Sequence, residues 1–307
     1  VNRFAYRAAN FDPGERASKI RVLSTLRVPA SLPDQFRYYL EGALACYRKD
    51  FTSARAAWEA LLSLPEAARR ERSVMATYMI AKADPRSASK YYPRVRALVA
   101  EGYPDPQGLA AASYGKEARA YLDRGQHQRA IDLYLQQWAS GYGNAALSLS
   151  LVARDIWDNN YSNCLIHLIE NKNARAVLTA YLLTQSDSNK AAELRARFLE
   201  ALPDPKLMSV AESGRFALME YQRNNLTSAR LWVSYAAADD ALALWVKSKL
   251  LLRAGKIEAG RVLMLALTEE MSAKGENWGR LDTERAWGEL GLLMLREGRY
   301  VEAADSF

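Results

Sequence analysis

The chain has 307 residues, half of them apolar, and 42 Lys and Arg stand against 35 Asp and Glu, a net charge of +7. That length can bury a sizeable core, but the positive excess is mild, and no run of about 18 apolar residues offers a membrane span. The two cysteines, Cys46 and Cys164, lie far apart in apolar helical contexts and have no metal-ligand spacing, so they leave the redox compartment open.

Ala, Leu and Arg abound while Val, Ile and Thr are few, which favours helix almost throughout. Residues 1–35 read as an N-terminal helical extension. Asp12-Pro13-Gly14-Glu15 has the form of a helix start, and that helix should end before Pro29. Pro33 and Asp34 open the next helix. Residues 36–202 read as helical hairpins, with turns at Asp50-Phe51 and Asp84-Pro85 and a break from Gly102 to Gly108. A third hairpin follows over about 111–143. From about 145 the pattern fades into helices on either side of Asp158-Asn159-Asn160-Tyr161, one ending near Leu183, and one from Lys190 to Leu202. Pro203-Asp204-Pro205 is a second break. Hairpins resume over 203–307, turning at Asn224-Asn225-Leu226 and Gly255-Lys256-Ile257, with a longer loop at 272–281. No segment alternates with a period of two over strand length, so no sheet is expected.

A small–small–large set recurs in phase along these hairpins. It reads Gly42, Ala54, Trp58; then Ala76, Ala88, Tyr92; then Ala118, Ala130, Tyr134. Later sets are Ala217, Ala229, Val233 and Ser248, Gly260, Met264. The last stretch is the clearest: Trp287-x2-Leu290-Gly291-x2-Met294, then Gly298-x-Tyr300-x2-Ala303-x3-Phe307. It resembles the tetratricopeptide repeat, W-x2-L-G-x2-Y then A-x3-F over about 34 residues, and departs only in Met294 for Tyr. The resemblance implies an all-α fold, a right-handed superhelix (solenoid) of antiparallel helical hairpins. In that fold small residues sit where paired helices cross, and Trp287, Leu290, Tyr300 and Phe307 fill the space between units. The final repeat stops within its second helix, whereas arrays normally end in a polar cap, and the chain starts without Met. A fragment of a longer protein is the expectation.

Motifs for chemistry are sparse. His127 stands in the aromatic slot after a turn, matching Phe51 and Tyr300 elsewhere, and reads as packing. His167 has no Cys or His at ligand spacing. There is no G-x-S-x-G, phosphate loop or dinucleotide fingerprint. No cofactor and no enzyme activity are expected.

The resemblance also implies a concave face lined by the first helix of each repeat. Carried over, its groove positions are Tyr39, Tyr47, Arg70, Thr77, Arg119, Tyr181, Gln185, Tyr221, Gln222, Trp245, Lys249, Arg253 and Arg285. Aromatics give contact area at small entropic cost and Arg forks carboxylates, so the set suits a protein or peptide segment of acidic character. The Lys/Asn/Arg clamp of chaperone-binding tetratricopeptide domains is absent: Tyr39, Ala43, Thr77 or Ser73, and Ala112 stand near its places. A non-enzymatic interaction scaffold is the leading expectation. The alternatives are the non-catalytic helical part of a larger enzyme, such as a cell-wall lytic enzyme, and RNA binding, which the lack of a recurring basic stripe disfavours. Oligomeric state stays open, and compartment leans only toward a bacterial periplasm or envelope over cytoplasm.

Overall fold

Residues 26–158, 162–185, 188–274 and 283–306 are described by the computed structural model. Among them are seventeen α-helices and no strand. The expected first helix, opened by Asp12, lies outside these residues, as does Phe307. The chain divides into two compact units, with the boundary between Leu149 and Ser150.

The first unit starts with helix α1 (Asp34–Tyr47), followed by α2 (Phe51–Leu62) and a short α3 (Glu66–Arg69). Then come α4 (Ser73–Ala83), a 3-10 turn Pro85–Ser87, α5 (Ala88–Ala100), α6 (Leu109–Leu122) and α7 (His127–Ala139). Helix α8 (Asn144–Asp158) crosses the boundary. The second unit continues with α9 (Ser162–Glu170), α10 (Lys172–Thr184), α11 (Asn189–Ala201), α12 (Ser213–Gln222) and α13 (Leu226–Ser234). It ends with α14 (Ala241–Arg253), α15 (Ile257–Lys274), α16 (Thr283–Arg296) and α17 (Tyr300–Asp305). Polar side chains start many of these helices by accepting an orphan backbone N–H. Asp50 takes that of Ser53, Asn171 that of Ala174, and Asp240 that of Ala243, each at 2.9–3.0 Å. Asp105 accepts from both Leu109 and Ala110 and so turns the Gly102–Gly108 break into the start of α6.

Five hairpins share one turn. A residue two or three beyond the first helix is left-handed: Lys49, Gly125, Asn224, Gly255 and Gly298, with φ from 62° to 76°. The next N–H then reaches back to a carbonyl five residues earlier: Asp50 to Ala45, Gln126 to Tyr121, Asn225 to Glu220, Lys256 to Leu251 and Arg299 to Met294, all at 2.9–3.0 Å. This closes the helix end and sends the chain back along it. The pairs α1/α2, α6/α7, α12/α13, α14/α15 and α16/α17 are therefore antiparallel hairpins.

Small residues allow those hairpins to close. The indole of Trp58 lies over Gly42 and donates to the Tyr39 carbonyl at 3.2 Å. A Cβ on Gly260 would fall 2.8 Å from the Leu252 side chain and 2.9 Å from the Ser248 carbonyl. Ala54, Ala76, Ala88, Ala118, Ala130, Ala217, Ala229, Ser248 and Ala303 are all buried, as are Trp58, Tyr92, Tyr134 and Met264 of the large set. Val233 is only half-buried, and the adjacent Trp232 fills that space instead, against Phe216 and Phe198. Tyr300 corrects the sequence expectation: it is 70% exposed at the start of α17, whereas Ala303, one turn on, is buried in the core. His127 is buried, as packing requires.

Two ion pairs join successive hairpins inside the core. Arg96 of α5 donates to Glu117 of α6 at 2.6 Å and to the Ser113 hydroxyl at 3.0 Å. Arg195 of α11 meets Glu220 of α12 at 2.7 Å, and Asn225 donates to the second oxygen of that carboxylate. Removing one partner of such a pair would leave a buried charge.

Lys49 carries a Cβ in a conformation that glycine occupies in three of the other four hairpins. Lys49→Gly should stabilise the protein by about 1 kcal/mol in urea unfolding, since the left-handed penalty of an L-residue disappears. An unchanged or lower midpoint would mean that the turn is not a shared constraint.

Candidate functional site

The expected groove residues do not gather in one place. In the first unit Thr77 is fully buried, its hydroxyl donating to the Ser73 carbonyl at 2.8 Å, and it lines no surface. Arg70, expected on the first helix of a repeat, instead closes the short α3. It donates to the Gly102 carbonyl at 2.7 Å and lies 5.2 Å from the Tyr103 ring, so it fastens the inter-hairpin loop. Tyr39 is half-buried beside Arg72, and burial raises its phenol pKa. Tyr47 is exposed, and Arg119 is exposed and paired with Asp123 at 2.8 Å. In the second unit Tyr181 is half-buried, its pKa raised by burial and then by Asp158, and Gln185 donates to its carbonyl at 3.3 Å.

The remaining six come together. Tyr221, Gln222, Trp245, Lys249, Arg253 and Arg285 line one cavity of about 260 Å³, with Leu218 and Glu289. The walls are α12, α14 and α16, the first helices of three successive hairpins. A left-handed turn and a cap place them. Glu212, left-handed at φ 64°, starts α12. Asp240 caps α14 with one oxygen and accepts the Gly214 N–H of α12 with the other, at 3.1 Å. A Cβ on Gly214 would sit 2.7 Å from the Ala243 nitrogen, so only glycine lets α12 and α14 approach this closely.

Trp245 is the floor: it is 1% exposed and packs in the core with Met264, Met271 and Leu290. Lys249, one turn on, holds its ammonium 5.6 Å from the Trp245 ring and 5.8 Å from Tyr221. The Arg253 guanidinium lies 4.8 Å from the Tyr221 ring and donates to the Asn224 amide oxygen at 2.7 Å. Across the cavity Glu289 pairs with Lys249 and, at 3.3 Å, with Arg285 on its own helix. The lining thus carries three cations and one carboxylate, with Lys249 and Arg253 against aromatic faces.

A second cavity of about 660 Å³ shares Tyr221, Lys249, Arg253 and Glu289 and so continues the first. Leu252, Ile257, Leu292 and Leu293 line it, with Met264 beneath and Arg296 and Glu297 at its edge. Glu289 and these leucines were not foreseen. The Arg285-x3-Glu289 spacing on one helix face was the available signal. No cluster of His, Cys, Asp or Glu able to hold a metal occurs among the described residues. No helix among them is long and apolar enough to cross a membrane. No protein-family model and no curated protein sequence matches this chain.

The Lys249–Glu289 pair spans α14 and α16 with both side chains mostly covered, at 20% and 25% exposure. A double-mutant cycle on Lys249→Met and Glu289→Gln should give a coupling of roughly 1 kcal/mol in urea unfolding. Coupling near zero would remove this pair as a tie between the two helices.

Proposed function

We propose that this chain is a tetratricopeptide-like repeat solenoid that acts as a non-enzymatic interaction scaffold, holding an acidic segment of a partner protein in the groove of its second unit. Two features support the repeat reading: the five identical turns, and the small residues buried at helix crossings in the phase the repeat pattern requires. The single observation that carries the binding reading is the cluster of Lys249 and Arg253 over Tyr221 and Trp245, with Arg285 lining the same cavity and Glu289 its one carboxylate.

The physical case is electrostatic and geometric together. Three cations against one carboxylate leave a local excess of positive charge facing solvent. Arg253 is already oriented by Asn224 and by the Tyr221 ring, so little side-chain entropy is lost when it meets an anion. Guanidinium groups take carboxylates in bidentate fashion, and the ring faces offer contact area to the rest of the segment.

A peptide array of acidic, neutral and basic sequences, followed by anisotropy titration of the best binders, tests this. Acidic peptides should bind preferentially and lose affinity with salt. The double variant Arg253→Ala, Arg285→Ala should weaken binding by about tenfold or more, since truncated charge partners at interfaces cost about 2 kcal/mol or more. Trp245 is unsuitable for such a test because its removal would open the core. Equal binding of acidic and basic peptides, or full affinity in the double variant, would contradict the proposal.

A further inference from the structure

The groove changes character along its length. Beside the cations it is polar, and the wider cavity that continues it adds an apolar stretch of Leu252, Ile257, Leu292 and Leu293 next to Arg296 and Glu297. Leu292 is 52% exposed and Ile257 40%, so this surface faces solvent. The two walls are in register. Lys249 on α14 pairs with Glu289 on α16, and three residues further along each helix come Leu252 and Leu292. On both walls a leucine therefore stands three residues past the paired charge, about 4.5 Å on at a helical rise of 1.5 Å per residue, with Arg253 next to Leu252 on α14. That step matches the distance between side chains one helical turn apart in a bound helix.

Resting on the reading of this groove as a site for an acidic segment, we infer that its ligand is an amphipathic helix whose carboxylate is followed one turn later by a large apolar side chain. The carboxylate meets Arg253 and Arg285, and the apolar side chain covers Leu252 and Leu292. The charge of the cavity calls for the acid, and exposed Leu292, with half-buried Leu252 in the same cavity, calls for the apolar neighbour. Glu289 sets the charge limit: it already engages Lys249 and Arg285, so the groove favours one carboxylate at this level over a dense acidic cluster.

Three fluorescein-labelled helical peptides test the inference by anisotropy. One carries Leu one turn after its Glu, the second has Ser in place of that Leu, and the third moves the Leu to the opposite helix face. The first should bind about tenfold tighter than the other two, as expected for covering one leucine side chain. The variant Leu292→Ser should remove that advantage, bringing the Leu peptide to the affinity of the Ser peptide. Equal affinity of the three peptides for the native protein would overturn the inference and leave the acidic-segment reading standing. Binding by none of them, together with no binding of any acidic peptide on the array, would overturn both. An advantage that persists in Leu292→Ser would also overturn it, by placing the leucine elsewhere.

Discussion

Close approach of paired helices is the constraint on which the rest of this structure depends. Where two helices turn back on each other within three residues, their axes meet near the turn and no bulky pair fits there. Gly42 under Trp58 and Gly260 against Leu252 show the solution: one member of each contact is reduced to backbone. The shared left-handed turn has the same purpose, because its back-bond to the carbonyl five residues earlier fixes where the second helix starts. Once those two features are set, the large residues on the outer sides, Trp58, Tyr92, Tyr134 and Met264, can only pack inward against their neighbours.

The groove follows from this packing rather than from any special segment. Gly214 and Asp240 bring α12 and α14 together, and the Lys249–Glu289 pair brings α16 alongside. Side chains at one level of these three helices then face a common space. Trp245 and Met264 close it from below because they belong to the core. The same arrangement that stabilises the unit thus aligns cations over aromatic rings.

Much of the helical pattern could be read from the sequence because it depends on local chemistry. Asp50 and Asn225 are capping residues, Gly125, Gly255 and Gly298 mark left-handed turns, and the small residues recur at fixed spacing. What could not be read depends on long-range pairing. Lys49 occupies the left-handed place without being glycine or asparagine, and only the shared back-bond reveals it. Arg70 looked like a groove residue because its spacing fitted the repeat, but the extra short helix Glu66–Arg69 shifts α4 and leaves Arg70 at a loop. Thr77 fitted the pattern too, yet it lies inside the first unit. Of the site, Tyr221, Gln222, Trp245, Lys249, Arg253 and Arg285 were legible from repeat spacing, whereas Glu289 was marked only by its spacing from Arg285 on one helix face.

The central claim is that an acidic segment lies between α12, α14 and α16. The most direct measurement is photo-crosslinking, with a benzophenone placed next to the Glu of an acidic helical peptide and the attachment points located by mass spectrometry. The account predicts crosslinks concentrated near Gln222, Arg253 and Leu292, competed away by the unlabelled peptide. Competable crosslinks confined to α1–α7, or scattered without preference over both units, would contradict it.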